Sequence, residues 1–385
     1  MPSVAVNREL LEWARERAGL APGVLVRRIP GFAKWVAGKG LPTMRQLEEL
    51  AKATLTPLGY FFLPKPPDEA LPIPFFRTTG EEASGKTSLN LLETVQVMQR
   101  RQAWMREFLI EQGQPVLPFV GATSKQDEPT RVALDIRKAL RMEEGWARKL
   151  PNWTAALDFF RNAVENAGIL VSMSGIVGNH TRRKLNPREF RGFVLIDDYA
   201  PLVFLNSVDW KSAQMFTLAH EVAHVWHAQS AAFDLRDFLP ASDRVEQVCN
   251  RIAAEFLVPE NEMRKNWPAF RRSDEPFQAV AAYFKVSAIV AARRALDLDL
   301  ISREQFFEFL KAYEVDERRL AEKKPSSGGN FFNNQNARLG RRFADAVVRA
   351  AHEGRLLYRD AYDLTGLHGA TFEKYSRRLG FGTGR

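Results

Sequence analysis

The stretch Thr217-Leu218-Ala219-His220-Glu221-Val222-Ala223-His224-Val225-Trp226-His227 decides how this chain is read. Of the 6 histidines in the sequence, three fall between positions 220 and 227. Two of them frame a His-Glu-x-x-His pattern in a run of helical periodicity that can start near Asp209. Residues four apart lie on one helix face, so His220 and His224 can aim imidazole nitrogens at one ion. Glu221, beside the first histidine, can reach a water on that ion rather than the ion itself. Leu218, Ala219, Val222, Ala223 and Val225 are all uncharged. A dry, apolar helix holds ligands rigidly and strengthens the electrostatics of a metal site. The competing reading makes His220 and His224 satisfied core residues and Glu221 a surface acid, and it leaves the coherence of the pattern unexplained.

A catalytic zinc site needs a third protein ligand and an open position. The segment from Glu246 to Pro259 reads as a second helix that stops before the proline. Glu246 and Asn250 share a face of it, while Cys249, Ile252 and Phe256 share a more apolar one. Glu246 is the preferred third ligand and Glu255 the alternative. Cys249 reads as a small buried hydrophobe. His227 and Asn250 can lie just outside the ligands. A site of two histidines and a glutamate suits Zn²⁺, although Mn²⁺ or Fe²⁺ can occupy the same donors.

Working outward, the 385 residues are 45% hydrophobic and 26% charged, which excludes a mostly disordered or fibrous chain. No apolar run approaches the ~20 residues needed to span a bilayer. The first residues show no basic start and apolar core, and a single cysteine forbids an internal disulfide, so the expectation is a cytoplasmic protein. The net charge of +9 is uneven. Residues 1–65 carry +5, residues 331–385 carry +5 and the middle is nearly neutral at −1. Basic ends attract polyanions, or are simply solvated surfaces.

Composition breaks divide the chain. Pro64-Lys65-Pro66-Pro67, with Pro72 and Pro74, is neither helix nor central strand. The Gly/Ser/Asn-rich run from Pro325 to Asn336 reads as a linker. Five segments are expected: 1–65, 66–129 (a proline-rich joint and a long helix from about 87 to 111), 130–322, a linker at 323–336 and a basic helical segment at 337–385. Helices are expected at 130–142 and 153–166, and from about 210 to 320. Short strands are expected around Ile169-Leu170-Val171, Phe193-Val194-Leu195-Ile196 and Leu202-Val203-Phe204-Leu205. In the N-terminal segment Asn7 caps a helix bearing Leu10, Leu11 and Ala14, and Thr43 and Gln46 form a capping box before Met44, Leu47, Leu50 and Ala51.

These residues together resemble the ImmA/IrrE-type metallopeptidase family. Phe190-Arg191-Gly192-Phe193, Ala200-Pro201-Leu202-Val203-Phe204-Leu205-Asn206, the histidine stretch and Glu246 through Pro259 carry the resemblance. It implies an α+β, mostly helical fold with a small sheet packed on the motif helix in the gluzincin manner. It also implies His220, His224 and Glu246 as zinc ligands, Glu221 as general base, and site-specific cleavage of helix-turn-helix repressors. Trp35…Gly38…Leu41-Pro42-Thr43…Gln46-Leu47…Leu50-Ala51 is similar to the end of a phage-repressor-type (Xre-type) helix-turn-helix domain, and Pro72-Ile73-Pro74…Phe76-Arg77-Thr78 resembles the joint that follows one.

One departure stands out. The expected reading stretch, Pro30-Gly31-Phe32-Ala33-Lys34-Trp35, is short and mostly apolar. Arg27, Arg28, Lys34 and Lys39 can still hold phosphates, which position a protein without specifying sequence. The alternative is a degenerate domain kept for packing or partner contact. Phe277 through Leu296 also suggests a helix pair, read as structural. Arg341 through Leu379 suggests another, in which basic residues interleave with aromatics, and a nucleic-acid role and packing on a partner or core fit equally well.

The leading expectation is a zinc endopeptidase acting on a repressor encoded nearby, in a mobile-element, stress or defence operon. Arg182, Arg183, Tyr199 and His227 are candidate donors to the carbonyl oxygen, and the sequence does not choose among them. The other expectation is a regulator or antitoxin-like protein that binds a toxin or other partner, with the basic ends on DNA. No Gly-rich phosphate loop and no Ser/His/Asp arrangement supports another hydrolase.

Overall fold

The computed structural model describes residues 3–69, 71, 75–76, 87–124, 126–228, 231–233, 244–315 and 331–381. Pro72, Pro74, Arg77, Thr78 and the linker residues 323–330 lie outside the described residues. The chain forms two compact units: Met1–Pro72 with Glu82–Val95, and Ile73–Glu81 with Gln96–Arg385. Among the described residues, no helix is long and apolar enough to cross a membrane.

Among the described residues the first unit contains α1 (Arg8–Arg17), α2 (Pro22–Arg28), α3 (Phe32–Val36) and α4 (Met44–Thr54), followed by a short 3-10 turn at Leu58–Phe62. Local chemistry sets their starts. Asn7 accepts from the Glu9 N–H at 3.0 Å, and Thr43 and Gln46 cap each other's backbone N–H groups reciprocally. Leu10, Leu11, Leu25, Phe32, Trp35, Leu47, Leu50 and Phe61 form one buried core. Met44, expected on the inner face of α4, is 45% exposed, because it occupies the first turn, right after the cap.

The second unit contains β1 (Phe75–Phe76), the greater part of α5 (Leu89–Glu111), α6 (Pro129–Ala139), α7 (Trp153–Asn166), β2 (Leu170–Ser174), β3 (Gly192–Leu195), β4 (Leu202–Asn206), α8 (Lys211–His227), β5 (Ala231–Phe233) and α9 (Arg244–Leu257). It continues with α10 (Glu260–Phe270), α11 (Pro276–Phe284), α12 (Ala288–Asp297), α13 (Arg303–Glu314), α14 (Phe331–Leu339), α15 (Arg341–His352), α16 (Tyr358–Thr365) and α17 (Gly369–Arg378). The α+β, mostly helical class therefore holds. The sheet order is β1-β5-β3-β4-β2. Strands β2 and β4 are parallel, β3 is antiparallel to both β4 and β5, and β1 is parallel to β5.

The motif helix α8 sits at the centre of this unit. It is buried continuously from Gln214 to Trp226. A helix without a polar face must be covered all round. Here β3 and β4 cover one side, with α7 and α9 packed on others. That placement explains the uncharged run around the histidines.

The C-terminal helices correct the expected linker. Residues 331–336, read as linker from their asparagines, begin α14 instead. Tertiary contacts outweigh local composition there. Gln335 is fully buried and donates to Asn179 Oδ1 at 3.1 Å, and Leu339 is buried. Helix α14 packs on β2, and Ser172 Oγ donates to Arg338 O at 2.6 Å. Gly340 then takes φ 74°, and a Cβ there would stand 2.5 Å from Val171 O. Only glycine combines that backbone with that approach.

Candidate metal centre

Helix α8 presents His220 and His224, and α9 presents Glu246 to both. His220 Nε2 lies 3.1 Å from one carboxylate oxygen of Glu246, and His224 Nε2 lies 3.2 Å from the other. The two Nε2 atoms are 3.0 Å apart. All three side chains are essentially inaccessible to solvent, His220 and His224 at 0% and Glu246 at 1%. Among the described residues this is the group of side chains that can hold a metal ion.

The donor set fits such an ion. Zinc bonds of ~2.0–2.2 Å in a tetrahedral arrangement place neighbouring donors roughly 3.3 Å apart, within a few tenths of an ångström of these spacings. Two imidazole nitrogens facing each other next to a carboxylate also form a cluster of acceptors. A cation satisfies it without a proton on every edge.

Charge and burial divide the two glutamates. Burial alone would raise the Glu246 carboxyl, but hydrogen bonds and charge from His220 and His224 outweigh it and hold the group well below the usual carboxylate range. Glu221 behaves oppositely. Burial pushes its carboxyl well above the ordinary value, and the neighbouring Glu246 adds to the shift. Both Glu221 oxygens are buried without a hydrogen-bond partner among the described residues. A carboxyl group in that setting binds a proton readily.

The structure separates the remaining sequence candidates. Glu255, the alternative third ligand, is engaged elsewhere: the Arg294 guanidinium donates to its carboxylate, as does the Glu260 N–H at 3.3 Å. Asn250 stands one turn after Glu246, with its Oδ1 buried and unbonded among the described residues. His227 Nδ1 lies 3.2 Å from Thr123 Oγ1, at the end of α8. Arg182 is exposed and Arg183 half-buried, both on the β2–β3 connection. Tyr199 lies in the β3–β4 turn, where its N–H donates to Asp197 Oδ1 at 2.9 Å. That turn is at the opposite end of β3 from Gly192, on the order of 10 Å along the strand. Cys249 is buried in the core. Arg27, Arg28, Lys34 and Lys39 are all exposed on the first unit.

Gly192 is a site residue that periodicity could not single out. A Cβ there would lie 3.0 Å from Glu221 Oε1, 2.7 Å from Thr217 Cγ2 and 2.9 Å from Phe204 O. The missing side chain lets β3 approach α8 at the level of Glu221. The signals in the sequence are a glycine heading an apolar strand and its place in the Phe190-Arg191-Gly192-Phe193 run that carries the family resemblance.

A search of curated proteins finds no match to the chain. Residues 339–378 match the model of a domain of unknown function. Residues 164–296, which contain the sheet strands β2–β5, the motif helix and Glu246, match the family model described as the IrrE N-terminal-like domain, a peptidase model, and this supports the ImmA/IrrE family for that part of the chain.

Proposed function

We propose that this protein is a zinc-dependent endopeptidase that cleaves a regulatory protein, a helix-turn-helix repressor, at a specific site. The observation that carries the reading is the convergence of His220, His224 and Glu246 beside the buried carboxyl of Glu221. The match of this segment to a peptidase family model supports it.

His220, His224 and Glu246 would hold the ion. When bound, a divalent ion supplies Lewis acidity and makes water a nucleophile at neutral pH. Glu221 takes the proton of the water that attacks the peptide carbonyl. It then gives that proton to the leaving amine. Its raised proton affinity suits both steps, because a carboxyl that stays fully ionised is a poor acid. Burial of the α8 residues around it keeps bulk water from competing for the proton. In this reading the first unit recruits the substrate, as a helix-turn-helix-like module, and the protein works in the cytoplasm.

The test pairs metal analysis with turnover of the repressor encoded beside this gene. The purified protein should carry about one zinc per chain. Glu221→Gln should keep the metal and lose ~10²–10⁴ of the cleavage rate. Undiminished cleavage by that variant, or a protein that binds no metal, would refute the assignment.

A further inference from the structure

The last three helices form a motif that the metal centre does not use. Helix α16 ends at Thr365, three residues turn the chain, and α17 starts at Gly369. The turn is held firmly. Gly366 is left-handed at φ 69°, and its N–H donates to Tyr362 O at 2.7 Å. Thr365 Oγ1 donates to Ala361 O at 2.7 Å and accepts from the Leu367 N–H at 3.2 Å. Leu367 is buried to 2% and plugs the bend. Two helices joined by a three-residue, glycine-containing turn share the connection of the helix-turn-helix motif, whose second helix enters the major groove of DNA.

Helix α17 has two distinct faces. Phe372, Tyr375 and Ser376 are buried. The Phe372 ring packs on Tyr358 and Tyr362 of α16, at centroid distances of 6.0 and 5.3 Å. Ser376 Oγ meets His352 Nε2 of α15 at 2.8 Å. Ala370, Lys374, Arg377 and Arg378 are exposed. Their spacing puts them on one side of a helix. The Arg378 guanidinium lies 4.1 Å from the centre of the Phe332 ring, which fixes its direction.

The chemistry of that outer face chooses the partner. No exposed apolar side chain larger than alanine lies on α17, so an apolar protein groove or the acyl region of a membrane has nothing to grip. Small residues at the start of the helix allow close approach, and the cations after them suit phosphates and guanine edges. The segment 331–385 as a whole carries 10 basic and 5 acidic side chains. We propose that α15–α17 bind double-stranded DNA, with α17 in the major groove and Lys374 and Arg377 as its principal contacts. This is independent of the peptidase reading.

The test is fluorescence anisotropy of the full chain with a labelled duplex of roughly 30 base pairs, about three helical turns, taken from DNA flanking its own gene. The wild-type protein should bind. Lys374→Ala with Arg377→Ala should weaken binding by about 10-fold or more and lower the slope of log affinity against log salt by about 2. Lys374→Arg with Arg377→Lys should keep most of the binding, which separates charge from folding. Glu221→Gln, and Arg27→Ala with Arg28→Ala, should bind as wild type. An unbound duplex, an unchanged affinity in the Lys374/Arg377 variant, or a loss that follows Arg27 and Arg28 instead would overturn the proposal. So would loss of a co-purifying protein, with DNA affinity intact, on changing Lys374 and Arg377.

Discussion

Glu165, in the last turn of α7, accepts a hydrogen bond from the backbone N–H of Arg342 at 3.3 Å, so one helix end caps the start of another 177 residues further along the chain. Burial pushes the Glu165 carboxyl up to about 7, against an ordinary 4.5, despite the nearby Arg161 and the N–H groups of Arg341 and Arg342. A carboxyl with a raised folded-state pKa favours folding while protonated. Its contribution is complete below about 4.5 and is lost as pH rises through about 7. The difference corresponds to at most about 3 kcal/mol. Glu165→Gln keeps an acceptor and removes the titration. In urea unfolding the variant should gain stability over wild type between pH 5 and pH 8. A difference between the two proteins that does not change with pH would contradict this.

The buried triad predicts a metal-dependent stability. An ion that binds only the folded chain stabilises it by about 2.7 kcal/mol at 100 times its dissociation constant. Chelator treatment should therefore lower the melting temperature, and zinc should restore it. Glu246→Ala removes the donor that faces both His220 and His224. That variant should bind far less zinc, and its melting temperature should no longer respond to the ion. Zinc-dependent stabilisation of equal size in Glu246→Ala would place the ion elsewhere.

Gly192→Ala should destabilise the protein by about 1–3 kcal/mol, the usual effect of adding a carbon to a filled interior. The new methyl would meet the Phe204 carbonyl at 2.9 Å, and that backbone is fixed by the β3–β4 ladder. The same methyl presses on Glu221 Oε1. Chemical unfolding measures the first effect. A neutral result would mean that β3 and α8 part more easily than their contacts imply.

Arg101 is buried to 8% exposure, with Nε donating to Leu364 O and Nη1 to Arg338 O, each at 3.0 Å. Those carbonyls lie in the last turns of α16 and α14, where helices run out of their own donors. Burial lowers the guanidinium to about 10, so it stays charged at neutral pH. Arg101→Met keeps bulk and removes both bonds; Arg338 O keeps the bond from Ser172 Oγ, while Leu364 O loses the guanidinium, at about 1–3 kcal/mol for a carbonyl left unpaired. Limited proteolysis should then release fragments from residues 331–381 sooner than in wild type. Identical digestion patterns would show that other contacts hold these helices.

Locally encoded features were legible. The Asn7 cap, the Thr43–Gln46 box, the helix at 153–166 and the short apolar strands all depend on neighbours in sequence. The histidine spacing was legible for the same reason: i and i+4 share a face wherever a helix forms. What lay out of reach depends on distant partners. The sequence preferred Glu246 over Glu255 but could not show what occupies the second, since both sit on α9 and its partner Arg294 lies 39 residues further along the chain. The pairing of Phe75 with Ala232 joins residues too far apart for any window to see. The nearness of Gly192 to Glu221 and the folding of the Asn-rich residues 331–336 into α14 are of the same kind.

Strand β2 closes one margin of the sheet, and Val171 turns its carbonyl there towards Gly340. During synthesis the metal-site residues leave the ribosome well before residue 339 does. Until then β2 offers an open row of peptide groups, the kind of template on which chains join edge to edge. The arrival of α14 covers that row. The expected consequence is that the helices from Phe331 onward shield this edge of the sheet. A protein shortened at position 330 should accumulate in inclusion bodies even though every proposed ligand is present.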